Sequence, residues 1–144
     1  MKNYKKVFRI VLVAILGILI FSLSAIGFAE DNNIGYSFTI KANYGNSYSS
    51  ARYRQTKSKE NPWKVQLKSS GEGKGTITTF WLSKSTIDGT VVVSPTRNVK
   101  QGSGATYSGA YGSASKSHVK LGAENNNYSA NTYTISGIWD EETW

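Results

Sequence analysis

Few side chains in this sequence could do chemistry, and they are poorly placed to work together. There is a single histidine, His118, and no cysteine. His118 lies between Ser117 and Val119, in phase with Lys116 and Lys120, so it is expected on the polar face of a strand. A general-base histidine needs a carboxylate to orient it, and none occurs in that run. Zinc requires three or four Cys, His or carboxylate ligands, which this composition does not supply. Calcium takes oxygen ligands. The acids available to it are Asp31, Asp88 and the triplet Asp140, Glu141 and Glu142, but no calcium-loop spacing surrounds them. The triplet reads as a solvated terminal cluster. Glycoside hydrolysis needs two carboxylates across one bond. Glu60, Glu72 and Glu124 all fall in loop-like stretches, and nothing pairs two of them. No nucleophile elbow, P-loop or dinucleotide fingerprint occurs. The expectation is no catalytic residue, no cofactor and no metal.

Aromatic residues are the one unusual resource. Beyond residue 29 there are Trp63, Trp81, Trp139 and Trp144, together with every tyrosine but Tyr4. Such rings offer a flat apolar face with a polar edge, suited to sugars, membrane interfaces and protein hot spots. Trp63, Trp81 and Trp139 alternate with apolar neighbours and are assigned to the core. Tyr44, Tyr48, Tyr107, Tyr111 and Tyr128 lie in or near polar, Gly/Asn-rich segments, and with Trp144 they are the candidate binding residues. Trp144 is expected to dock, as an apolar terminal residue.

The elements that must carry these residues read as strands. Tyr36, Phe38, Ile40 and Ala42 alternate with Ser37, Thr39 and Lys41, and Trp63, Val65 and Leu67 repeat the pattern. Residues 48–55 are expected to form a further strand with Tyr48 and Tyr53 as its anchors. Residues 76–82 read as a strand that is apolar on both faces near its end. Asp88-Gly89 suits a tight hairpin leading to a short buried strand, Thr90–Val93, that Pro95 stops. Gln101–Ser115, rich in Gly, Ser and Tyr, is expected to be the least ordered stretch. Residues 116–121 and 128–139 complete the set, with Tyr133, Ile135, Gly137 and Trp139 on one face. Seven or eight short strands with polar turns predict an all-β domain, an antiparallel β-sandwich or small barrel.

An export signal precedes that domain. Lys2, Lys5, Lys6 and Arg9 make a basic start, residues 10–29 carry no charge, and Gly27 and Ala29 are small residues before an acidic pair. Residues 1–29 are therefore read as a signal peptide forming a helix, and residues 30–144 as the secreted domain. The alternative is an uncleaved membrane anchor over residues 10–29, since about 20 apolar residues span a bilayer. The leader holds four of the 17 cations and none of the nine acids, so the net charge falls from +8 to about +4 in the mature domain. That favours an anionic envelope and is no nucleic-acid footprint. With no disulfide available, stability must come from the core, which about 115 residues can supply.

The segments Asn61-Pro-Trp-Lys-Val-Gln-Leu67 and Ser70-Gly-Glu-Gly-Lys-Gly-Thr-Ile-Thr-Thr-Phe-Trp-Leu82 resemble a group of small secreted proteins of Gram-positive, bacillus-like bacteria that carry a domain of unknown function. In composition, and in ending on Trp144, the chain also resembles lactococcin-like secreted β-sandwich bacteriocins. The functional expectation is a secreted, non-enzymatic protein that binds a bacterial cell envelope, with bacteriocin-like antimicrobial action as one form of it. Its partners would be cell-wall polymer, a membrane surface or an envelope protein, and not nucleic acid. Two alternatives are a structural or self-assembling surface protein and a carbohydrate-active enzyme using Glu60, Glu72 or Glu124.

Overall fold

The computed structural model describes residues 32–57 and 60–143. The leader, its expected helix and Trp144 lie outside the described residues. Within them the chain is nearly all β, built from antiparallel sheets of which one is curled into a half-barrel. The strands are β1 (Ile34–Ile40), β2 (Ser47–Tyr48), β3 (Arg52–Arg54), β4 (Trp63–Ser70), β5 (Ile77–Thr86), β6 (Gly89–Val92), β7 (Arg97–Lys100), β8 (Thr106–Ser108), β9 (Ser117–Asn125) and β10 (Tyr133–Asp140). One sheet has the order β1-β10-β4-β8. The other runs β2-β9-β5-β6, with β3 also on β9 and β7 also on β5.

The predicted alternation holds where strands face the core. Trp63, Val65, Leu67, Ile135 and Trp139 from the first sheet pack against Phe80, Leu82, Val119 and Leu121 from the second. Burying side chains of this size is worth roughly 1.5–3 kcal/mol each, so this layer supplies the stability that disulfides would otherwise give. Gly137 is required where β1, β10 and β4 meet. A Cβ there would stand 1.9 Å from the Gln66 carbonyl oxygen and 2.8 Å from the Tyr36 hydroxyl, which donates to that same carbonyl at 3.2 Å.

Four expectations need correction. The strand predicted over 48–55 is two strands, β2 and β3, separated at Ser49–Ala51. The break shifts the phase, so Arg54 is fully buried while Tyr53 is 46 % exposed, its ring instead meeting His118 at 5.2 Å. The strand expected to be buried over Thr90–Val93 is exposed at every residue of β6. It pairs only the outer end of β5, past the reach of the opposite sheet, and Val93 alone enters the core. The hairpin turn is Ile87-Asp88, with Gly89 at φ 134° as its exit. Gln101–Ser115 holds β8 and a 3-10 turn, Gly112–Ala114. It buries Ala110 and Ala114, and the Gly109 carbonyl accepts the Trp63 indole N–H at 3.2 Å. Small residues let this stretch lie close over a tryptophan, which composition alone reads as looseness.

Candidate binding groove

β1 and the β2–β3 segment form the facing margins of the two sheets. Between them lies a groove of about 410 Å³, within the ~300–1,000 Å³ range of ligand sites. Its walls are Gly35 and Ser37 of β1 and Ser50 and Ala51 of the β2–β3 link, and Tyr48, Phe38 and Trp139 add rings. One contact ties β2 to β1, and another ties β3 to the residue after β10. The Ser47 hydroxyl donates to the Thr39 carbonyl, and the Arg52 guanidinium holds the Glu141 carboxylate through two nitrogens. The Arg52 charge at the mouth is therefore already neutralised.

Backbone direction along β1 follows from hydrogen bonds on its neighbours. The Gly71 N–H donates to the Thr134 carbonyl at 2.8 Å, so the Thr134 backbone faces β4 and not β1. Thr134 is opposite Thr39, and the Thr39 carbonyl accordingly turns away from β10 to meet Ser47. Peptide groups alternate along a strand. Ser37 and Gly35, two and four residues before Thr39, thus present their N–H and C=O to the groove.

The acids at the end of β10 clasp β3 and the residues that follow it. The expectation of a solvated triplet is overturned: Asp140, Glu141 and Glu142 are all buried. Glu142 accepts the Gln55 and Thr56 N–H groups at 2.7 and 2.9 Å, and the Asp140 carboxylate accepts the Glu142 N–H at 3.2 Å. The Arg54 guanidinium donates to the Glu141 and Asn61 carbonyls. Burial lowers the Arg54 pKa, and the charges of Glu142, Glu141 and Asp140 act in the opposite sense. A buried cation surrounded by acceptors is the arrangement desolvation demands. The signal for this clasp was present in the sequence as two arginines one residue apart and a run of three acids, but no spacing rule joins segments so distant.

The candidate tyrosines do not form one surface. Tyr48 lines the groove and meets Trp81 at 6.3 Å, edge to face. Tyr44, in the left-handed region at φ 57°, pairs with Tyr128, which is 70 % exposed, at 5.5 Å. Tyr107 is exposed on β8 opposite Lys64, and Tyr111 is exposed beside Val93, whose carbonyl accepts its N–H at 2.8 Å. Trp63 and Trp139 join the core, whereas Trp81 is buried on the other face of its sheet, outside the core cluster. His118 is exposed, on the polar face as expected. Glu60, Glu72 and Glu124 do not line the groove. Partial burial raises the pKa of Glu124.

Among the described residues, no group of three or more His, Cys, Asp or Glu side chains is placed to hold a metal ion. No curated protein matches the chain. A solved structure titled "Crystal structure of PirA" is similar at 13 % identity and a TM-score of 0.44, covering 80 % of this chain and 99 % of that one. Residues 22–143 match the model of a family described as "Protein of unknown function (DUF2712)", and the chain belongs to that family.

Proposed function

We propose that this is a secreted, non-enzymatic binding protein that acts at a bacterial cell envelope and holds its ligand in the groove between β1 and the β2–β3 segment. The observation that carries the reading is the groove itself: an opening of about 410 Å³ with aromatic rings, serines and unpaired strand backbone on its walls. Among the described residues its only lining charge, Arg52, is already engaged by Glu141. Such a lining offers stacking and hydrogen bonds to an uncharged ligand. The leader, residues 1–29, supplies the route out of the cell, and the mature charge of about +4 draws the domain to an anionic surface. Attraction is then general, and selection occurs in the groove. Bacteriocin-like killing is the form this takes if the bound envelope component is essential to the target. Sedimentation of the exported protein with purified Gram-positive envelopes tests the reading. Pelleting at low salt is expected, and a protein left in the supernatant contradicts it.

A second reading, self-assembly at the surface, draws on β6. All four of its residues are exposed, and the adjoining hairpin tip, Ile87, is fully exposed. Natural edge strands are usually guarded by charge, proline or a bulge, and Gly89–Val92 carries none of these.

A further inference from the structure

We propose that the ligand of the groove is an extended polypeptide segment that adds to β1 as a further strand. This rests on the groove being the binding site and names the chemistry of what enters it.

Four observations favour a polypeptide strand. First, the groove wall is a strand edge. Gly35 and Ser37, though opposite Ile138 and Ser136 on β10, turn their N–H and C=O outward, and among the described residues no strand pairs that edge of β1. Residues two apart along a strand lie about 6.8 Å apart, the repeat at which a second strand offers complementary groups. Second, the opposite wall leaves room. Ser49 is tied to β9 through its N–H to the Leu121 carbonyl at 2.9 Å, while Ser50 and Ala51 are exposed and outside any strand. Third, the Ser47–Thr39 contact joins the two margins, and Arg52 holds β3 to Glu141, the residue that follows β10. The free edge of β1 ahead of the Ser47–Thr39 contact runs from Ile34 to Phe38, which suits a guest of about three to five residues. Fourth, the inner side is apolar. Tyr36 and Phe38 stack at 5.2 Å, and Trp139 lies behind them. Alternate guest side chains would meet these rings, and those between would face solvent over Gly35 and Ser37. The preferred guest is thus an uncharged β-forming segment with apolar residues at every second position. A glycan would use the rings but has no reason to match the two-residue repeat of β1.

The test uses the exported protein and a capped heptapeptide of alternating valine and threonine. Its comparator is the same peptide N-methylated at the residues that would donate to β1. Amide exchange at Gly35 and Ser37 is followed residue by residue. Binding is expected to slow exchange at both amides at least tenfold, and the N-methylated peptide is expected to bind at least tenfold more weakly. Ser37→Pro removes one outward N–H without touching the β10 ladder, so it is expected to retain the fold and lose the peptide. If Ser37→Pro perturbs the fold, the N-methyl comparison on the unaltered protein still decides. Equal affinity for the two peptides, or no protection at millimolar peptide, would overturn the proposal. Protection of the same amides by cell-wall glycan fragments and not by peptide would also overturn it, while leaving the groove as the binding site. A Ser50→Trp variant that keeps full envelope binding would instead remove the groove reading itself.

Discussion

Trp81 on β5 and Gly122 on β9 stand directly opposite one another, and a Cβ on Gly122 would come within 2.4 Å of the indole ring. The missing side chain is what lets a tryptophan bury itself on the face of the sheet that turns away from the core. Tyr48 completes the site from β2, linking this tryptophan to the groove. Gly122→Ala is expected to displace the indole and to cost about 1–3 kcal/mol, as overpacking does. Urea unfolding followed by tryptophan fluorescence would show a lower midpoint together with a shifted emission maximum. An unchanged spectrum would contradict the placement of Trp81.

Arg54 and Arg52 are neighbours on β3 with different burdens. Arg54 is fully buried and anchors the Glu141 and Asn61 carbonyls, whereas Arg52 is partly exposed. Arg54→Met is expected to cost about 3 kcal/mol or more, because it strands buried acceptors and the acids around them. Arg52→Met removes a partly solvated ion pair and is expected to cost no more than about 1 kcal/mol. Chemical denaturation of the two variants at neutral pH checks the ordering.

Alkaline stability should follow two buried phenols. Burial, with the charge of Glu72, pushes Tyr133 up to about 12, and burial raises Tyr36 as well. A phenol whose pKa is raised by folding stays neutral in the native state while the unfolded chain ionises from about pH 10. Its contribution is complete below pH 10 and is lost as the pH climbs toward 12. Unfolding is therefore expected in that window. Tyr133→Phe removes one of the two ionisations, so its alkaline midpoint should move upward.

The β6 edge decides the self-assembly reading. If copies join there, scattering should grow with concentration, and Val92→Lys should abolish the growth by placing a charge on the exposed edge. Scattering that persists unchanged in Val92→Lys would exclude β6 as the joint.

Much of the fold was legible in the sequence, because burial on one face of a strand imposes a period of two. Trp63, Val65 and Leu67 on β4, and Tyr133, Ile135 and Trp139 on β10, were read correctly on that ground. The failures came where something else decides burial. Arg54 is buried by its hydrogen bonds and not by hydropathy, and Asp140–Glu142 follow it inside. Val91 and Val92 are apolar yet exposed, because no described residue covers this end of β5. The groove was the least legible feature. Of the described residues proposed for binding, Tyr48 alone lines it. Its main wall is backbone, and the identities of Gly35 and Ser37 carry no trace of which way their peptide groups turn.

Envelope binding through the groove requires that the opening beside Ser50 be free. Ser50 is exposed on the groove wall, so Ser50→Trp fills the opening with little expected effect on stability. Sedimentation of the parent and Ser50→Trp proteins with purified Gram-positive envelopes, at matched salt, measures the consequence. We expect the parent to pellet and the variant to lose at least tenfold in apparent affinity while keeping its thermal midpoint. Equal pelleting of the two proteins would contradict the central claim.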